Sequence, residues 1–250
     1  MSLDFYSLDI FPVLIGLHEN ADSAHNYKHL TNVAKDVMKA SESSKYKFLT
    51  ALEHDALVMA AYLHEVDDEK LNFELPGVEK TDNLPLAKAL LEKYGKTQEF
   101  RDLTLEIISL VSTRTNHNTT LPDDEKWKLL VRDADRLQAL GEVGIARCYT
   151  YTTSIKKPLF TAETLRCRTR EELKKALNPE RFANYHGVSD SMLDHFFDKL
   201  LHIGKVSSGD DYLSSLLEEK MQVMEDFVVE FGIRGCLDIE YLEKLQKKYC

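Results

Sequence analysis

Paired cysteines, long apolar runs and an excess of positive charge are all missing from this sequence, and each absence removes a class of protein. Its four cysteines (Cys148, Cys167, Cys236 and Cys250) show no CxxC spacing and no close pairing with histidines. Zinc fingers are therefore not supported, and the thiols read as reduced, in a cytosol-like compartment. The apolar patch from Ile10 to Leu17 is short, contains Pro12 and follows Asp4 and Asp9 with no basic residue before it. That fits neither a secretion signal nor a membrane span, so a cytoplasmic protein is expected, with no membrane partner. A formal net charge of −10 and a pI near 5.4 disfavour a nonspecific nucleic-acid binder, which would need many Lys and Arg contacts to phosphates. Alternating aliphatic runs are scarce, so the chain reads as all-α. Repeats, low-complexity tracts and dividing linkers are absent too, and 250 residues can bury a core without disulfides, so a single domain is expected.

What is present is helical periodicity with polar residues on the wrong faces. From Ala24 to Ala40, Val33 and Val37 share a face with His29 and His25, with Asp22 or Ser23 as the cap and Ser41, Ser43 and Ser44 as the break. A second helix is predicted from about Ala51, putting Leu57, Ala60, Ala61 and His64 on one face and Asp68 four residues further along the same line. Residues 72–85 read as a loop through Pro76-Gly77, Asp82-Asn83 and Pro85. Leu86 to Tyr94, closed by Gly95, and Phe100 to Thr113 are predicted helices, followed by a polar stretch with Arg114 just past the helix end and a solvent-facing His117. A long helix is expected from Asp123 through Trp127, Leu130, Ala134 and Leu137, with Gly141 and Gly144 permitting close packing. Thr150 to Thr169 reads as a loop. Helices return at Glu171 to Leu177, Ser191 to Leu201, Asp211 to Phe231 and Asp238 to Lys248.

The chemistry is expected around V-M-A-A-Y-L-H-E-V-D-D-E-K, residues 58–70, where an apolar run ends in a histidine and four carboxylates. An inward imidazole with carboxylates one and four positions on can offer nitrogen and oxygen ligands to one divalent cation. The residues alone leave open a core histidine beside a solvated acidic helix end. On the later helix, the wheel puts Asp133 at the edge of the Leu130, Leu137 and Leu140 stripe and Asp135 on the opposite side with Arg132 and Gln138. By that criterion Asp133 is the ligand and Asp135 a salt-bridging or solvated residue.

Taken together, A-H-N-Y-K-H-L (24–30), L-H-E-V-D-D-E-K (63–70) and R-D-A-D-R-L-Q-A-L-G-E-V-G-I-A-R (132–147) resemble, in that order, the HD-domain metal-dependent phosphohydrolases. The third stretch resembles a small subgroup associated with nucleoside triphosphate pyrophosphohydrolysis. The resemblance implies an HD-type helical bundle, with a metal-site core at about 20–150 and C-terminal helices at 170–250 packed on it. Mapped by motif, it implies metal ligation by His29, His64, Glu65 and Asp133, with His-Glu standing where the family has His-Asp. Glutamate keeps the carboxylate and adds a methylene, so its oxygen reaches a metal if the backbone or rotamer yields by about an ångström, a scale of shift to which catalysis is sensitive. Gln138 and Asn26 also depart, from acids in the related motifs. One divalent ion (Mn, Mg, Fe, Ni or Co) would activate water, Asp68 would orient or deprotonate that water, and Lys70, Arg114 and Arg136 would bind the phosphates. The implied partner is a small nucleotide, with a homodimer left open. The alternative is a catalytically weakened HD scaffold that binds a nucleotide or a protein without turnover.

Overall fold

A computed structural model describes residues 5–19, 21, 26–69, 71–79, 83–112 and 120–250. Among the described residues the regular structure is helical, with a lone antiparallel bridge between Tyr6 and Gly95 and no sheet. None of the described helices is long and apolar enough to cross a membrane. The chain divides into two compact units, Met1–Asp135 with Ser207–Leu213, and Arg136–Val206 with Ser214–Cys250.

The first unit contains α1 (Ile10–His18), α2 (Tyr27–Ser41), α3 (Ala51–Leu63), α4 (Pro85–Tyr94), α5 (Gln98–Ser109) and the opening of α6 (Leu130–Gln138). Its centre is α3, which packs against both α2 and α5 and is buried without a break from Asp55 to Ala61. Alanines at 51, 56, 60 and 61 favour the helix and let its neighbours approach closely. The helix starts on a capping box: the Thr50 hydroxyl accepts the Glu53 N–H at 3.3 Å, and Glu53 Oε2 accepts the Thr50 N–H at 2.6 Å. It ends at Leu63, with His64 as its C-cap. The chain then leaves through turns, so Asp68 does not continue the helical line from His64.

Other boundaries differ from expectation. α2 begins at Tyr27, capped by the Asn26 side chain, which accepts the His29 N–H at 3.1 Å. Asparagine caps as well as aspartate does, so the cap survives this departure from the motif. Asp22, Ser23, Ala24 and His25 lie outside the described residues, as do Lys70, Arg114 and His117. The single long helix expected from Asp123 is instead a 3-10 turn (Lys126–Leu129) leading into α6.

The second unit contains α7 (Gly141–Ser154), α8 (Arg170–Ala176), α9 (Pro179–Ala183), α10 (Met192–His195) and α12 (Ile239–Tyr249); α11 (Asp211–Arg234) begins in the first unit and runs on into the second. α7 continues through Thr150 to Ser154, where a loop was expected, because packing against α12 overrides the low helix propensity of its threonines. α10 widens into a π-helical turn, Phe196–Leu200, in which the consecutive Phe196 and Phe197 are both buried. Two glycines make the entry to α7: Gly141 has φ +69°, and a Cβ on Gly144 would lie 2.1 Å from the Ala139 carbonyl oxygen. Gly144→Ala is therefore expected to destabilise the protein by about 1–3 kcal/mol, as overpacking does elsewhere. Thermal unfolding measures this, and a wild-type midpoint would show that the entry to α7 relaxes freely.

Candidate metal centre

Four side chains of the first unit, from His29, His64, Glu65 and Asp135, each bring one nitrogen or oxygen within 4.8 Å of the others. His29 Nε2 stands 3.4 Å from Glu65 Oε1 and 3.3 Å from Asp135 Oδ1, and His64 Nε2 is 3.5 Å from the same Asp135 oxygen. The imidazole centroids are 5.5 Å apart with planes inclined by 61°, so the two rings meet edge to face rather than stacking.

Each ligand position is set by its local backbone. His29 occupies the third position of α2, where its own N–H is held by the Asn26 cap. His64 closes α3, and its Nδ1 lies 2.9 Å from the Ala61 carbonyl oxygen. That contact assigns the proton to Nδ1, which donates, and presents Nε2 to the cluster. Glu65 follows on a turn closed by the Val66 N–H bonding to the Leu63 carbonyl at 3.1 Å. Its carboxylate enters the cluster despite the extra methylene, and the residue is buried.

The electrostatics follow from burial. Burial alone would lower the His29 pKa, but the Asp135 and Glu65 carboxylates outweigh it and raise the value to about 9. His64 is raised for the same reasons, mainly by Asp135 against the cost of burial. Burial pushes Asp135 upward, yet the two imidazoles hold it well below the usual carboxylate range. The Nε2 atoms of both histidines are buried and make no hydrogen bond of acceptable geometry. Two such nitrogens facing two carboxylates form a donor set suited to a divalent cation. Ligands about 2.0–2.2 Å from one ion lie at most about 4.4 Å apart, so the cluster needs only a small contraction to share one.

Asp133, expected as the ligand, is not in this group, and Asp135 takes its place. Asp133 Oδ2 accepts the Ser208 N–H at 2.7 Å, with Arg132 Nε 3.9 Å from its other oxygen. It fastens the Ser207–Leu213 segment, which is also held by Tyr212 donating to Asp36 Oδ1 at 2.8 Å and by Lys45 reaching the Ser208 carbonyl at 3.3 Å. The wheel misassigned the aspartates because α6 is buried almost all round: from Leu129 to Gln138 only Asp135 is not buried, with a side chain 31% exposed. The signal was present in the unbroken Leu129, Leu130 and Val131, which spread apolar character beyond one stripe. Asp68 is half-buried and outside the cluster. Arg136 is buried and follows Asp135 in the helix, while Lys70 and Arg114 lie outside the described residues.

No protein-family model matches the chain. Protein L803 of Acanthamoeba polyphaga mimivirus, itself uncharacterised, is 32% identical over 222 residues, covering 84% of this chain and 88% of that protein. YpgQ of Bacillus subtilis is 26% identical over 208 residues, 82% of each chain. Its crystal structure in complex with ADP superposes with a TM-score of 0.55 at 21% identity, over 96% of this chain and 97% of that one. An HD-superfamily hydrolase of Bacillus thuringiensis gives a TM-score of 0.56 at 22% identity, over 89% and 93% of the two chains. The fold is thus HD-like, with a His, His, Glu and Asp cluster able to coordinate a divalent metal.

The cluster generates two expectations. Asp135→Asn should lower metal content, measured by elemental analysis of the purified protein, whereas Asp133→Asn should retain metal; the reverse pattern would put Asp133 back among the ligands. In metal-free protein, the raised pKa of His29 contributes stability that is complete below its unfolded value near 6.5 and is lost as pH rises through about 9. The lowered pKa of Asp135 contributes stability present above its ordinary 3.8 and lost as pH falls. The unfolding midpoint of the metal-free protein should therefore decline between pH 6.5 and 9, and saturating Mn²⁺ should flatten that decline.

Proposed function

The chain belongs to the same family as protein L803 of Acanthamoeba polyphaga mimivirus, and from that premise we propose that it is a divalent-metal-dependent phosphohydrolase acting on a nucleoside triphosphate. The observation that carries the reading is the convergence of two buried, unbonded Nε2 atoms with two carboxylates in the cluster of His29, His64, Glu65 and Asp135. The HD-like fold supports it, as does the ADP complex of YpgQ, which places a nucleotide with a protein of the same fold.

A divalent cation held by these four residues would supply a Lewis acid for water and for a phosphoryl oxygen. The chain's own residues do the rest. The Ala61 carbonyl keeps the His64 proton on Nδ1, so the ring offers a lone pair without turning. Asp68, one turn of backbone beyond Glu65, is the residue we assign to orient or deprotonate the attacking water. Lys70, Arg114 and Arg136 are assigned to neutralise charge growing on the phosphoryl oxygens. The reaction joins water to the α-phosphorus and breaks its bond to the α,β-bridging oxygen, releasing a nucleoside monophosphate and pyrophosphate. The D-A-D-R-L and G-I-A-R stretches favour this bond, and the net charge of −10 favours a small substrate in a cytoplasmic protein over a polymer.

Glu65, in place of the family's aspartate, favours a second reading: a scaffold that binds nucleotide without turning it over. A panel of ribo- and deoxyribonucleoside tri-, di- and monophosphates with Mn²⁺, Mg²⁺, Ni²⁺ and Co²⁺, with products separated by chromatography, distinguishes the two. Pyrophosphate and monophosphate are the expected products. Orthophosphate as first product would make the protein a phosphatase, and nucleotide binding without turnover would establish the scaffold.

A further inference from the structure

We propose that Asp67 is a positioning residue for the metal centre: it ties the turn carrying His64 and Glu65 to the first turn of α4, through residues 19 and 20 positions after it. Its two carboxylate oxygens each accept one backbone N–H, from Leu86 at 2.9 Å and from Ala87 at 2.9 Å. The first turn of a helix has N–H groups with no partner inside the helix, and they are ordinarily met by the side chain at the N-cap. Here the N-cap is Leu84, in a left-handed conformation at φ 55°, and it offers no side-chain hydrogen bond. Pro85 at the first position has no N–H to satisfy. Leu86 and Ala87 are buried, so their N–H groups need a partner from within the protein. Asp67 takes the cap's place from a distance, and its negative charge faces the positive end of the helix dipole.

The consequence falls on the ligands. His64 and Glu65 sit just beyond α3, and the chain after them is held by short turns, with the Asp68 N–H on the Glu65 carbonyl at 3.0 Å and the Leu71 N–H on the Asp68 carbonyl at 3.0 Å. Such turns fix local direction but not the position of the whole segment. The Asp67 bonds do fix it, two residues from Glu65, because both oxygens are engaged by a rigid helix end. Groups that hold ligands in place without touching the metal commonly change its affinity by about 10–100-fold.

The inference rests on the proposed metal site, and its test is metal binding rather than turnover. Mn²⁺ alone is titrated into the protein and followed by electron paramagnetic resonance and calorimetry, with amide hydrogen exchange read in parallel. Asp67→Ala should weaken Mn²⁺ binding about 10-fold or more and speed exchange at Leu86, Ala87 and the turn 64–67. Asp67→Asn, which keeps one oxygen acceptor and serves where the alanine variant fails to fold, should fall between the two. Ala89→Gly weakens α4 while leaving the tether intact and should bind Mn²⁺ as wild type does. Faster exchange at Leu86 and Ala87 with unchanged Mn²⁺ affinity would overturn the proposal, leaving Asp67 as a helix cap alone. An equal loss of affinity in Ala89→Gly would also overturn it, since fraying of α4 would then suffice. Wild-type protein that binds no Mn²⁺ would instead defeat the metal reading itself.

Discussion

Two carboxylates and two imidazoles crowded together, with only the Asp135 side chain reaching solvent, impose a charge condition on the first unit. Carboxylates so placed repel one another and lose hydration, and they stay ionised only with positive charge beside them. The imidazoles are the nearest source of it: the carboxylates raise the pKa of His29 and His64 against the cost of burial, and the imidazoles hold Asp135 low. A divalent cation meets the same condition with fewer bodies. The surroundings therefore matter less for adding charge than for keeping four side chains from swinging apart.

That restraint comes from backbone bonds made by neighbours that do not belong to the cluster. Asn26 holds the amide of His29, the Ala61 carbonyl holds the ring of His64, Asp67 anchors the turn beyond Glu65, and Asp133 fastens α6 two residues before Asp135. Each restraint is modest by itself, since a hydrogen bond contributes about 1 kcal/mol net. Together they limit the directions in which a ligand can drift, and the densely buried α3 supplies the rigid body against which the others are measured.

Much of this was legible without coordinates. His29 and His64 sit on apolar helix faces, and periodicity alone brought both inward; both side chains are in fact nearly fully buried. The helical class followed from the scarcity of alternating patterns. The choice between Asp133 and Asp135 failed because a wheel assumes a wet side and a dry side, and α6 has hardly any wet side. Asp67 could not be read at all: its partners are 19 and 20 residues away, and no periodicity reports a bond between a turn and a distant helix end. The Thr50 and Glu53 box was visible as T-x-x-E and would have placed the start of α3 to the residue.

The bond from Ser208 to Asp133 spans 75 residues, because the segment Ser207–Leu213 belongs to the first unit although most of the second lies between them in the chain. On the ribosome, where about 5–20 residues are added each second, roughly 4–15 seconds separate the synthesis of Asp133 from that of its clamp. During that interval the four residues of the cluster have all been made, but the helix bearing Asp135 lacks its fastening. The first unit is therefore closed by a segment made only after most of the second unit, and the order of synthesis makes this fastening a late step.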